Sequence, residues 1–531
     1  MRDHSVVVDE SATPRGIEFA ATFNVSVAFL DRHLEEGRGD KPLLVTHGAS
    51  WSLAAVAERV NRTANAFREL GIGPGDRVML FCKDGPGFYD GFLGAARIGA
   101  VAVPVNYFLR AADYAYMLRD SGACAVMAHA DMFGDVEPAL AEAGAGVRHR
   151  ICVDSEAPGW LPHEALLAAA DPWCPPEPTT PATDCFWLYS SGSTGDPKAS
   201  VHQHKDQIYT SVLYAEAVAG MTADDVLFSP PKMFFAYGLG NSVSFPCWTG
   251  ATAVYLDDRP TAENTLDAIA AFRPSVYFGV PTLYAMQLAA IETGRAADLS
   301  SLRWAASGGE PLPASVFEEW KARSGVEIVE SIGSSEALHF YTANPLGGVR
   351  AGSLGTLVPG YEGRIVGEDG DDLPDDEPGE FVIRGESVAT YYWNKPERTA
   401  RGMRDGGWFH TGDTCYRDGD GYYYFCGRDD DMLKVGGIWV APFEVESALA
   451  AHPGVLEAAV VGAEDGNGLV KPKAFVALKD PGGAGRALES ELVDFVRDRL
   501  APFKYPRWIE FVDELPKTAS GKIQRFRLRG A

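Results

Sequence analysis

The chain lacks the features that would place it in a membrane, outside the cell or on nucleic acid. It has no stretch of about 18 uninterrupted apolar residues, so no membrane span is read from it. Its opening, "MRDHSVVVDESATP", lacks the apolar core of a secretory signal. Eight cysteines are scattered without a CxxC pair or other metal-ligand spacing, so buried free thiols in a reducing cytoplasm are expected. Positive charge is scarce as well. Against 73 Asp and Glu stand 47 Lys and Arg, a net charge of -26. That balance leaves no broad basic face for nucleic acid or an anionic membrane. A phosphorylated small molecule can still be held by a few local cations and backbone N–H groups. No internal repeat is visible.

What the chain does have is length and apolar patterning. At 531 residues, 46% hydrophobic and 11% aromatic, it predicts two to four globular units. Up to about residue 190, amphipathic helices alternate with apolar strands. "WSLAAVAERVNRTANAFREL" has helical periodicity, "DRVMLFC" and "VAVPVN" read as strands, and "FYDGFLGAARIGA" as a helix. Such alternation predicts βαβ units and a mostly parallel sheet. The Pro-rich segment "DPWCPPEPTTPATD", residues 171–184, reads as a linker. After about residue 350 short strands and Gly/Asp turns predominate, and the last hundred residues read as a small α+β unit. "GRIVGEDGDDLPDDEPGEFVIRG" predicts a hairpin around a solvated acidic turn, without the ligand order of a calcium loop.

One stretch carries two opposed readings. "YSSGSTGDPKASVHQHKD", residues 189–206, is rich in flexible residues, as a linker is, yet it follows an apolar strand and contains Lys198. Between a strand and a helix, such residues let backbone N–H groups approach phosphate oxygens. Neither the P-loop pattern nor GxGxxG fits it. His202 and His204, two apart on a helix, would diverge, which disfavours zinc.

Taken together, "SSGSTGDPK", "SGGEPLP" (307–313), "SIGSSEALH" (331–339), "WFHTGD" (408–413), "GRDDDMLKVGG" (427–437) and "PKTASGKIQR" (516–525) resemble the adenylate-forming superfamily of acyl-CoA synthetases. "PKMFFAYGLGN" (231–241) resembles that superfamily's benzoate-CoA ligase branch. The resemblance implies an α/β fold with a large N-terminal domain, residues 1–427. Mostly parallel sheets flanked by helices and a small β-barrel-like subdomain would build it. A hinge at 428–431 would precede a small mobile α+β C-terminal domain, residues 432–531.

The resemblance also implies the chemistry. A carboxylate is activated with ATP and Mg²⁺ to an acyl-adenylate, and the acyl group passes to coenzyme A. Ser190, Ser191, Gly192, Ser193, Thr194, Gly195 and Lys198 would hold the β- and γ-phosphates. Glu336 would ligate the metal, and Ser335 would keep a phosphate-contacting hydroxyl. Gly309, Glu310 and Pro311 fall at the adenine motif. Asp413, helped by Arg428, would accept hydrogen bonds from the ribose. Lys522 would bridge carboxylate and α-phosphate oxygens, Asp430 would be the hinge residue, and Gly437 would border the pantetheine tunnel. Phe235, Ala236, Tyr237 and Gly238, completed by Ser307, Gly333 and His339, would form a flat apolar slot suited to a benzene ring. Ile332 and Ala199 depart from the family's usual Tyr and Gly.

The expected activity is an AMP-forming aryl-CoA ligase for benzoate or a small substituted benzoate, with a homodimer as the expected assembly. An aryl-acid adenylating enzyme that loads a carrier-protein phosphopantetheine shares the first step and stays open at this point.

Overall fold

A computed structural model describes residues 1–190, 196–428, 431–435, 438–465, 469–500, 504–517 and 523–529. The first long helix, Leu53–Glu69, shows how the sequence sets an element. Leu53, Val56, Ala57, Val60, Ala64 and Phe67 recur at helical spacing and are buried. The Ser52 hydroxyl caps the start by accepting the Ala55 N–H at 3.2 Å, and Gly71, at φ +72°, ends the turn that follows. Trp51 and Ser52, read from sequence as part of this helix, belong instead to the strand Ala49–Ser52.

Two larger sheets organise the region up to residue 392. The first has eight strands in the spatial order Tyr391–Tyr392, Lys198–Gln203, Asp184–Ser190, Val101–Pro104, Arg77–Phe81, Ala125–Ala128, His149–Cys152 and Leu161–Pro162. The second has seven, ordered Ile328–Glu330, Trp304–Ser307, Val276–Gly279, Val226–Phe228, Thr252–Val254, Pro42–Thr46 and Ala49–Ser52. Central pairings in both are parallel. One hydrophobic cluster draws Leu44 and Ala253 from one sheet, Leu80 and Phe186 from the other, and Phe88 and Phe92 from the helix Pro86–Arg97. A fully buried side chain of this size contributes about 1.5–3 kcal/mol.

The remainder is antiparallel or mixed. Glu362–Val366, Gly379–Arg384 and Trp408–Arg417 form a meander, and Trp408–Arg417 also pairs with Met403–Arg404 and Tyr423–Arg428. The acidic turn between the first two of these strands lies on the surface. Beyond residue 440, a three-stranded sheet of Val455–Glu464, Val470–Leu478 and Trp508–Val512 packs with the helices Pro442–Ala450 and Arg486–Arg497. These elements have a hydrophobic cluster of their own. The eight cysteines are all buried, and none is in a disulfide.

Two sequence readings change. The stretch from 190 to 198 lies between two antiparallel strands, not between a strand and a helix, with Ser190 opposite Lys198 in the register. Ala199 and Val201 point into the core, so a β-compatible apolar residue suits the position after the lysine. Residues 171–184 do not link domains, because the strands on either side, Leu161–Pro162 and Asp184–Ser190, share one sheet. The segment is strapped down. Asn61 Oδ1 accepts the Cys174 N–H at 3.2 Å, Arg97 Nε donates to Cys174 O at 2.7 Å, and Thr179 Oγ1 donates to Phe23 O at 2.6 Å. Proline content reported irregular backbone, not mobility.

Candidate active site

Three side chains far apart in the sequence meet where the two strands of the antiparallel pair come together. Lys198 opens the strand Lys198–Gln203, Glu336 lies in the loop after the strand Ile328–Glu330, and Tyr392 sits on the two-residue edge strand Tyr391–Tyr392. Lys198 Nζ is 2.9 Å from Glu336 Oε1 and donates to Tyr392 Oη at 2.7 Å. Tyr392 Oη donates in turn to Glu336 Oε1 at 2.8 Å. The ammonium also stands 4.2 Å from the centre of the Tyr392 ring. Burial alone would raise the Glu336 pKa. The Lys198 charge and the Tyr392 hydroxyl outweigh it and hold the carboxyl below its ordinary value, so it is ionised.

Of the other expected residues, some fall within the described part of the structure and some outside it. Ser190 Oγ is buried and has no partner among the described residues. Residues 191–195, which carry the rest of the expected phosphate loop, lie outside the described residues, as do Asp430, Gly437 and Lys522. Ser335 uses its backbone carbonyl to accept a hydrogen bond from His202 Nε2 at 2.8 Å. His202 is on a strand and its other nitrogen pairs with Asp206, while His204 Nδ1 accepts the Val25 N–H. The two histidines thus serve different parts of the core. No group of three potential metal-ligating side chains occurs among the described residues.

Asp413 and Arg428 face each other on paired strands, with Arg428 Nη1 donating to Asp413 Oδ1 at 2.8 Å. Asp413 is buried and Arg428 half exposed. Burial first, and then the charge of Asp413, raises the pKa of the buried Tyr341 hydroxyl, with smaller opposing contributions from Arg428 and Glu336. Gly309, at φ +87°, turns the chain between the strand Trp304–Ser307 and Glu310, whose Oε2 accepts from Thr282 Oγ1 at 3.4 Å. Pro311 follows half-buried, and the Leu312 N–H donates to Glu330 Oε1 at 2.8 Å. Glu330 is 4% exposed. Burial pushes its carboxyl up to about 8, against which the Leu312 N–H offers partial relief. From the C-terminal side, Arg525, paired with Glu446, exerts its charge on Glu310.

The expected acyl slot is aromatic and uncharged. Tyr237 stands 5.6 Å from the His339 ring and 5.1 Å from Phe340, and its hydroxyl donates to Gly279 O at 3.3 Å or Ala306 O at 3.4 Å. His339 is wedged among Tyr214, Phe245 and Phe340. Its Nε2 bonds to Asn241 Oδ1 at 3.1 Å, so it donates there as the neutral tautomer. Burial drives its pKa down to about 3, which keeps the ring neutral at any working pH. Ser307 Oγ and His339 Nδ1 are buried without partners among the described residues. Phe235 is half-buried against Phe234, and Ala236 is buried.

The glycines at this slot have steric reasons. A Cβ on Gly333 would come within 2.5 Å of His339 O, and one on Gly238 would overlap the Lys232 carbonyl. Gly238 is therefore required by its own loop rather than by a ligand. A Cβ on Gly240 would overlap His339 Cδ2. Tyr392, Glu330, Asn241, Tyr214 and Phe340 were not singled out from the sequence. Only the aromatic run "TYYWNKPE" hinted at the first. A cavity of about 310 Å³ lined by Arg59, Lys83, His129, Asp154, Tyr255 and Asp257 contains none of the expected site residues.

Comparison with known proteins adds a separate line of observation. The family model for AMP-binding enzymes matches residues 30–393, and that for the AMP-binding enzyme C-terminal domain matches residues 444–522. A benzoate–CoA ligase of Thauera aromatica is 45% identical over 527 residues, covering 99% of each chain. The crystal structure of a benzoate CoA ligase from Burkholderia xenovorans superposes with a TM-score of 0.89 at 42% identity, over 96% of this chain and 100% of that one. An anthranilate CoA ligase in complex with anthranoyl-AMP gives a TM-score of 0.93 at 37% identity, over 96% and 97%.

Proposed function

We propose, on the premise that the chain belongs to the AMP-binding enzyme family, that it is an AMP-forming aryl-CoA ligase. Its acid substrate is benzoate or a small substituted benzoate. The observation that carries the choice of acid is the slot of Tyr237, His339 and Phe340, three rings with no charged wall. A flat ring suits such a slot by stacking and edge contacts. A second carboxylate would be buried there unpaired, and a long alkyl chain would meet the Phe245–His339 wall. The unpartnered Ser307 hydroxyl and His339 Nδ1 offer hydrogen bonds to a hydroxyl or amino substituent. The relatives' full-length identity and their action on benzoate, hydroxybenzoate or anthranilate support the same class.

In the first step a carboxylate oxygen of the acid bonds to the α-phosphorus of ATP, and the bond to the pyrophosphate oxygen breaks. In the second the CoA sulfur attacks the acyl carbon and AMP leaves. Both steps ask the protein to orient anions and neutralise charge. Lys198, Ser190 and residues 191–195 would hold the outer phosphates, and Lys522 would bridge the acid and the α-phosphate. Asp413 would accept from the ribose hydroxyls, with Arg428 fixing its orientation. Gly309, Glu310 and Pro311 would flank the adenine. Mg²⁺, which neutralises phosphate charge when bound, fits Glu336. That carboxylate is ionised and oxygen-donating, as a hard cation shared with phosphate oxygens requires, and the described residues hold no cluster of three metal-ligating side chains that would compete with it. Movement about Asp430 would exchange the Lys522 face for the one that carries Gly437.

The test is a panel of benzoate, hydroxybenzoates, aminobenzoates and fatty acids, scored for AMP, pyrophosphate and acyl-CoA. Aromatic acids should give all three products with free CoA as acceptor. A preference for medium-chain fatty acids would overturn the assignment of the slot. Full adenylation by Lys522→Ala would overturn the role given to that lysine.

A further inference from the structure

Tyr392 lies on a two-residue strand at one edge of the first sheet, yet it is held from several sides. Its backbone pairs with Ser200, its N–H donates to Thr399 Oγ1 at 3.0 Å, and Trp393 N donates to Ala199 O at 3.0 Å. The same segment reaches the other partner, since Ala389 N donates to Glu336 O at 2.7 Å. The side chain is 3% exposed, and burial followed by the Glu336 charge raises its pKa, so the hydroxyl keeps its proton.

A protonated phenol can receive one hydrogen bond and give another, and Tyr392 does both, receiving from Lys198 and giving to Glu336. No other side chain reaches as far with a ring face for the ammonium and a hydroxyl for both charges. Without it, the lysine and the carboxylate would still attract each other, but nothing would fix the angle between them. Lys198 would regain the rotamer freedom of a four-carbon stem.

We propose that Tyr392 is a positioning residue for the nucleotide step, presetting Lys198 and Glu336 so that the triphosphate meets a fixed pair of charges. This rests on the reading of Lys198 and Glu336 as nucleotide-binding groups. The energetic logic is preorganisation. Ordering done in the free protein is not charged against nucleotide binding or against the transition state.

The test substitutes Tyr392→Phe, which keeps the ring, the burial and the ammonium–ring contact and removes only the hydroxyl. ATP affinity is measured by calorimetry without the acid, and steady-state constants by ATP–pyrophosphate exchange. The expected result is a loss of ATP affinity of about tenfold, the scale of one hydrogen bond to a charged group. kcat should fall alongside, with KM for the aromatic acid within twofold of the parent. In the Lys198→Ala background the same substitution should have a clearly smaller effect, because one of the two partners it orders is gone and only the bond to Glu336 is left to lose. Lys198→Ala and Glu336→Gln test the underlying reading separately. If either leaves ATP affinity unchanged, the nucleotide assignment fails and this proposal with it. If both weaken ATP while Tyr392→Phe does not, or if Tyr392→Phe acts equally with and without Lys198, the role of Tyr392 alone is overturned.

Discussion

Glu330 supplies a prediction whose size can be worked from its surroundings. It ends the strand Ile328–Glu330, opposite Ser307 in the parallel register, and its carboxyl accepts the Leu312 N–H at the close of the segment 307–313. Burial raises its pKa from 4.5 to about 8. Below pH 4.5 the carboxyl is protonated in both the folded and unfolded chain. Between 4.5 and about 8 the unfolded chain releases the proton and the folded one keeps it, so folding stability falls as pH rises. Above 8 both are ionised and the dependence ends. At about 1.4 kcal/mol per pH unit, the whole loss is roughly 5 kcal/mol, and by pH 7.5 about 4 kcal/mol of it has accrued.

Glu330→Gln keeps an acceptor for Leu312 and cannot lose a proton. The variant should therefore equal the parent near pH 4.5 and become more stable at neutral pH. With unfolding entropy of about 2 cal/mol/K per residue, a unit of roughly 400 residues shifts by about 1 °C per kcal/mol, so the gain at pH 7.5 is about 4 °C in Tm. The assay is thermal unfolding of both proteins in half-unit steps from pH 5 to 8.5. Parallel Tm curves, or a less stable variant at pH 7.5, would refute the reasoning that Glu330 is buried as a neutral acid.

Two further expectations concern the site itself. Gly240→Ala sets a methyl over His339 Cδ2 and within 3.2 Å of Phe245 Cζ. It should cost about 1–3 kcal/mol of stability and raise KM for the aromatic acid several-fold while leaving KM for ATP within twofold. An unchanged acid KM would separate His339 from the slot. Arg428→Ala removes a half-exposed partner of Asp413. Unfolding should shift by less than about 1 kcal/mol, whereas KM for ATP should rise about three- to tenfold. An effect on the acid instead of ATP would argue against the ribose assignment.

The parts of this molecule that were legible from sequence are those where chemistry is local. The motif around Glu336, the Gly-rich hairpin and the Phe-Phe-Ala-Tyr-Gly run each announce themselves within ten residues. Alternating apolar strands and helices likewise revealed the parallel sheets. Glu330 was hidden because a carboxylate at the end of "VEIVE" looks like a solvated strand terminus. Its burial comes from residues 309–313 folding over it, which no local period encodes. Tyr392 was hidden by separation, since it meets Lys198 from 194 residues away. Residues 171–184 misled in the opposite direction, their prolines suggesting slack where Arg97, Asn61 and Phe23 hold the backbone.

The two-residue strand Tyr391–Tyr392 has a consequence for the solubility of the chain. It covers the free edge of Lys198–Gln203, whose backbone would otherwise present unpaired N–H and C=O groups to other molecules. The residues that guard this edge also carry the hydroxyl between Lys198 and Glu336. Lesions that lift the segment, such as proline at Tyr391, should therefore produce aggregation and loss of nucleotide affinity together. Protection of a sheet edge and placement of the Lys198–Glu336 pair thus depend on one short segment.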